Sequence, residues 1–142
     1  MKDIYVIKRS GEKTLLNLDK IHAMAEHACR GLAGVSESQV EMNANLQFFD
    51  GIKTSDIQEI LIRSANDLIS LDAPNYQFVA ARLLLFGLRK AVYNGHPDGH
   101  PPLLEHVKKC VDLGVYDSTI LDKYTDEEWS GVSTAFGAFW QY

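Results

Sequence analysis

The sequence is poor in cysteine and proline, with two and four in 142 residues. Cys29 and Cys110 lie far apart in helix-patterned segments and no Cys-x-x-Cys occurs. That excludes a disulfide-stapled scaffold and leaves two reduced thiols. Neither has an activating neighbour legible in the sequence, so no thiol mechanism is expected. An N-terminal apolar segment is also missing, so no secretory signal is expected. The longest apolar stretch, Phe78 to Leu88, is too short to cross a bilayer and contains Arg82. There is no Walker A run, no Gly-x-Gly-x-x-Gly, no Gly-x-Ser-x-Gly and no Ser/His/Asp arrangement. His96 and His100 have metal-pair spacing, but Pro97 and Gly99 break the helix such a pair needs. His22 and His27 would point to different faces, so no metal-ligating residue is nominated. The net charge of -5 argues against nucleic acid or a membrane surface as partner. A soluble, cytoplasmic protein is expected.

What is present is a 46% hydrophobic chain, enough for one domain with a core, or one domain and an appendage. The charge is uneven: residues through Gly34 sum to +2 and the rest to -7. A locally cationic end on an acidic protein suits a small anionic ligand. Asp3 to Lys8 is β-branched and aromatic and predicts a strand; Arg9 to Lys13 predicts a turn, with Gly11 free to take positive φ. Thr14 to Leu18 predicts a second strand. Such a hairpin is marginal alone and must lie on something else.

From Asp19, a plausible N-cap, Ile21, Met24, Ala25, Ala28, Cys29 and Leu32 recur at helical spacing. Ser36-Glu37-Ser38-Gln39 resembles a capping box opening a second helix to about Phe48, broken by Asp50-Gly51. A third helix starts at Thr54, with Ile57, Ile60, Leu61, Ala65, Leu68 and Ile69 as its apolar stripe. A fourth, about Asn75 to Tyr93, is apolar nearly all round and is expected to be central. Gly95 to Pro102 is the best domain boundary. Beyond it, Leu103 to Leu113 predicts a short helix, and Asp117 to Tyr124 and Asp126 to Trp129 further helical turns. Gly131 to Tyr142 carries no charge and continues no earlier pattern.

Two constellations carry chemistry. Lys8 and Arg9 are either solvated charges at a hairpin tip or a point charge and a fork donor gripping successive phosphates. Lys20 favours the second reading, because a helix beginning at Asp19 brings free N–H groups and its positive end to the same place. Lys90 would add a cation if the fourth helix ends near the hairpin. Thr54 and Gln58, one turn apart on a polar face, are either an N-cap with an exposed amide or a hydroxyl and amide reading a base or sugar.

These residues, in order, closely resemble the ATP-cone, the N-terminal allosteric domain of the large (alpha) subunit of aerobic class I ribonucleotide reductases of bacterial and phage type. The resemblance rests on Val6 to Gly11, Asn17 to Ile21, Phe49 to Ile57, Ala73 to Gln77, Ala80 to Leu83 and Leu88 to Lys90. It runs from about Tyr5 to Lys90, and weaker similarity continues through Tyr116-Asp117 and Asp122 to Glu128. It implies a mainly α fold, with a β-hairpin lid over a four-helix bundle, short C-terminal helices behind, and ATP or dATP held between lid and bundle. By position, Lys8, Arg9 and Lys90 would hold phosphates. Asn17, Lys20 and Ile21 would line the nucleoside side with Val6 and Leu16. Phe86 would sit near the base, and Thr54 would contact the ligand. Thr14 stands where related cones often carry an acid and Gln58 where they often carry a histidine, both close to the expected ligand.

The family continues into a catalytic barrel with its cysteines, whereas this chain stops at Tyr142. The expectation is a regulatory piece, inactive alone as a reductase. It would comprise an ATP-cone over 1–94, a helical extension over 95–130 and an aromatic tail over 131–142. ATP or dATP is the expected effector, with Mg²⁺ accompanying the triphosphate. The reductase large and small subunits are the expected protein partners, and an oligomer is left open. The alternatives are a helical interaction module with a vestigial nucleotide site, on the strength of Phe136, Phe139, Trp140 and Tyr142, or one chain of a split reductase.

Overall fold

The computed structural model describes residues 3–93 and 101–139, a mainly helical chain with a small N-terminal sheet. His96 and His100, the Gly95 to Gly99 part of the expected linker, and Trp140 and Tyr142 lie outside the described residues, as do the side chains of Phe136 and Phe139. The chain divides into two compact units, Met1–Leu88 and Arg89–Tyr142.

In the first unit, β1 (Tyr5–Ile7) and β2 (Lys13–Leu15) form the expected hairpin, with Val6 opposite Thr14. Its tip closes through the Lys8 N–H to the Glu12 carbonyl, 2.9 Å, and the Gly11 N–H to the Lys8 carbonyl, 2.9 Å. Gly11 supplies the positive φ, 84°, that this turn needs. Alternation along β1 turns Val6 into the core and leaves Tyr5 exposed.

The sequence reading missed a third strand. Ile52–Lys53 forms β3, parallel to β1 on the side away from β2. Asp50-Gly51, read as a helix breaker, docks this strand. Asp50 Oδ1 accepts the Tyr5 N–H at 2.9 Å, and the Gly51 N–H donates to the Tyr5 carbonyl at 2.8 Å. Gly51 does so at φ 85°, a conformation that other residues rarely adopt.

The first helix, α1 (Leu18–Cys29), buries Ile21, Ala25, Ala28 and Cys29, the expected stripe. Its N-cap is Asn17 rather than Asp19: Asn17 Oδ1 accepts the Lys20 N–H at 3.1 Å, and Asp19 lies in the first turn. At the other end Arg82 Nη1 donates to the carbonyls of Ala28 and Arg30, at 3.0 and 2.7 Å. A cation satisfies orphan carbonyls where the helix dipole is negative.

In α2 (Glu37–Asn45), Val40 and Ala44 are buried. The capping box expected at its start is interrupted. The Ser36 side chain makes no cap bond. The Tyr76 hydroxyl instead accepts the Ser36 N–H at 3.0 Å and donates to Gln39 Oε1 at 2.9 Å. A phenol from 40 residues away thus stands between the two groups that a capping box would join directly.

Two further helices complete the unit. Helix α3 (Thr54–Asp67) buries Ile57, Leu61 and Ala65, while Ile69, expected on the same stripe, is exposed. Helix α4 (Tyr76–Val92) corrects a second expectation. It buries Tyr76, Val79 and Leu83 but exposes Phe78, Leu84, Leu85 and Leu88, so it has one core face rather than a central position. The core combines Val6 and Ile52 from the sheet with Ile21, Val40, Leu61, Val79 and Leu83 from the four helices.

In the second unit, α5 (Leu103–Asp112) packs on α7 (Asp126–Phe139), with the short α6 (Thr119–Asp122) between them in sequence. Val107 and Trp129 are buried, and the Leu103 N–H donates to Ser133 Oγ at 3.2 Å. A reciprocal capping box does occur here, at Thr125-Asp126-Glu127-Glu128. Glu128 Oε2 accepts the Thr125 N–H at 2.8 Å, and Thr125 Oγ1 accepts the Glu128 N–H at 3.3 Å. Helix α7 continues through Gly131 to Phe139, past Trp129 where the helical reading stopped, and at 14 residues it is as long as α3. The C-terminal helices are therefore not all short. Among the described residues, no helix is long and apolar enough to cross a membrane.

Candidate functional site

Lys8, Arg9 and Thr54 lie at the end of the sheet where β1 enters the hairpin turn. Ile7 pairs with Lys53 at the end of the parallel ladder, so Lys8 and Thr54 are the residues that leave the two adjacent strands at the same end. Thr54 is also the first residue of α3, and no side chain caps that helix. Its first-turn N–H groups and positive end therefore open beside the cationic tip. The sequence reading lacked this link, because it lacked β3.

The cations at the tip differ in what already holds them. Lys8 Nζ lies 3.0 Å from Glu12 Oε2, both side chains largely exposed. Arg9 is exposed in the turn. Lys13 faces elsewhere, its Nζ 5.1 Å from the centre of the exposed Tyr5 ring, a cation–π contact. Lys20 is exposed on the first turn of α1, where its own N–H is held by Asn17.

Val6, Ile21, Leu16 and Phe86, expected on the nucleoside side, belong to the core or its edge. Val6 and Ile21 are buried in one core cluster, and Leu16 and Phe86 pack half-exposed at its edge. The Phe86 ring rests on His27 of α1, centroids 5.3 Å apart and planes tilted by 50°. Gln58 is half-buried and its amide is engaged, because Nε2 donates to the Leu83 carbonyl of α4. Gly87 makes that approach possible: a Cβ there would come within 3.2 Å of Gln58 Cγ. Gln58 is thus neither an exposed amide nor fully free to read a ligand. Lys90 lies on the last turn of α4, beyond Leu88 where the first unit ends.

The two thiols separate here. Burial pushes the Cys29 thiol up to about 11, partly opposed by the nearby Arg82. Cys110, read as lacking a neighbour, has His106 Nε2 at 3.6 Å from its Sγ, one helical turn away. The His-x-x-x-Cys spacing was the signal that could have found this pair.

The chain's similarity to known proteins falls on these elements. It is 52% identical over 128 residues to the ribonucleoside-diphosphate reductase subunit alpha of Haemophilus influenzae, covering 90% of this chain and 17% of that protein. It is 49% identical over 133 residues to ribonucleoside-diphosphate reductase 1 subunit alpha of Escherichia coli, covering 94% of this chain and 17% of that protein. A third relative, the subunit alpha of Helicobacter pylori, is 46% identical over 85 residues, 60% of this chain and 11% of that protein. The chain thus spans about a sixth of the first two relatives. Residues 4–91, which hold the sheet, α1 to α3 and nearly all of α4, match the ATP cone domain. The chain belongs to the ATP-cone family.

Proposed function

We propose that the first unit binds an adenosine triphosphate, ATP or dATP, as an allosteric effector. The observation that carries this reading is the parallel pairing of β1 with β3. It sets Lys8 beside Thr54 at the uncapped start of α3, with Arg9 in the adjoining turn. A point charge, a guanidinium fork and helix N–H groups are complementary to a polyphosphate. Lys20 extends the cationic set. Val6, Leu16, Asn17, Ile21 and Phe86 line the nucleoside side, and Thr54 contacts the ligand from the start of α3, with Gln58, its amide held on the Leu83 carbonyl, one turn further along.

Mg²⁺ accompanies the triphosphate, held by phosphate oxygens and water. Among the described residues, no group of three or more His, Cys, Asp or Glu is placed to hold a metal. Binding acts through its differential affinity for two states of an assembly with the reductase large and small subunits.

Three cations in a half-covered site correspond to micromolar affinity, about -8 kcal/mol. Calorimetric titration with ATP tests the assignment. Lys8→Ala and Arg9→Ala each weaken binding at least about tenfold, a loss of about 1.4 kcal/mol, whereas Lys13→Ala leaves it unchanged. Equal affinities for all three variants would defeat it.

A further inference from the structure

We propose that Cys110 is a site of reversible thiol–disulfide exchange with low-molecular-weight disulfides, with His106 as its proton acceptor. The site lies wholly in the second unit and does not depend on nucleotide binding. Cys110 is half-buried on α5, and its Sγ lies 3.6 Å from His106 Nε2. In the tautomer with Nε2 unprotonated, the thiol donates to the imidazole. The Tyr93 and His106 rings meet in a T-shaped contact, centroids 6.0 Å apart and planes at 81°, which helps to hold the imidazole.

Both groups open onto a cavity of about 270 Å³, also lined by Val92, Leu113, Glu105 and Lys109. That is just below the range of about 300–1,000 Å³ for drug-sized ligands, and it suits a small thiol. Its apolar walls accept an alkyl disulfide. Lys109 and Glu105 offer one charge of each sign to the carboxylate and ammonium of an amino-acid thiol.

The exchange balances without another reagent. The Cys110 proton passes to His106 Nε2 as Sγ attacks one sulfur of the small disulfide. The new S–S bond forms as the old one breaks, and the departing thiolate takes the proton from His106. Cys110 is oxidised to a mixed disulfide and half of the small disulfide leaves as a thiol; a second thiol reverses the reaction.

Cys29 is the internal control. It is 7% exposed and burial holds its thiol protonated, so it does not react.

The test is incubation of the 142-residue chain with oxidised glutathione, followed by intact mass and peptide mapping. One glutathionyl adduct is expected, on Cys110, reversed by reduced glutathione. Cys110→Ser takes none, and Cys29→Ser reacts as the parent does. His106→Gln slows adduct formation about fivefold near pH 7, and the gap closes near pH 10, where a thiol ionises unaided. A merely structural histidine would not produce that convergence. Labelling of Cys29 as fast as Cys110 in the unsubstituted chain would overturn the proposal. So would a His106→Gln rate equal to the parent's at every pH.

Discussion

Lys8, which we propose holds phosphate, is already paired. Its partner Glu12 sits across the hairpin turn at 3.0 Å, and both ends are exposed, so the pair contributes little to stability. A triphosphate entering the tip competes with one carboxylate and lies close to its charge. Glu12→Gln keeps the shape of the turn, whose closing bond comes from the Glu12 main chain, and removes the competitor. ATP affinity should rise about two- to fivefold by calorimetry, with more of the gain at low salt. An unchanged or weakened affinity would mean that Lys8 does not meet the phosphates. Lys13 shows that a cation's neighbours matter as much as its position. It is also on the hairpin, yet the Tyr5 ring holds it and it is no part of the expected grip.

At the scale of elements, α1 and α2 are joined on their outer side by His22 Nδ1 and Glu41 Oε1, 2.7 Å apart. The hydrogen bond from Glu41 raises the His22 pKa above its ordinary value, with Glu41's charge and then Glu26 and Glu37 adding to it. A raised folded-state pKa places the stabilisation below the unfolded value, near pH 6.5, and removes it as pH rises through the folded pKa. Thermal melts should therefore show the parent losing stability relative to His22→Gln, whose curve lacks this component, as pH rises from about 6.5 through the raised pKa. Parallel curves would show that the pair contributes nothing.

The same elements show what sequence could and could not reveal. Helices α1 and α3 were legible because their apolar residues keep a strict period. The hairpin was legible because a β-branched run meets a glycine turn, and that places Lys8 and Arg9 at its tip. Strand β3 was not, because two residues make no period and Asp50-Gly51 carries a break signal that here serves docking. Tyr76 and Arg82 have roles that the sequence does not signal. Their polar atoms finish the start of α2 and the end of α1, partners 40 and 52–54 residues away that no local pattern encodes. The apolar composition of α4 suggested burial all round, but only the face carrying Tyr76, Val79 and Leu83 turns inward.

For the molecule as a whole, the consequence of a gripped polyphosphate is thermodynamic linkage. A ligand that binds only the folded state stabilises it by an amount set by its concentration relative to Kd. At about a thousand times Kd, as for millimolar ATP and a Kd near one micromolar, the gain is roughly 4.1 kcal/mol. For a chain of this length that is a rise of about ten degrees or more in Tm. The molecule's uneven charge predicts a further signature. The ligand is drawn to a cationic end on a protein of net charge -5, so the rise should shrink as salt screens the tip, at fixed ATP and Mg²⁺. A binding module with a vestigial site would show neither the rise nor its salt dependence. A rise that survives in Arg9→Ala at full size would place the nucleotide elsewhere on the chain. Following Tm by far-ultraviolet circular dichroism suits the question, because α1 to α4 of the first unit supply most of the helical signal.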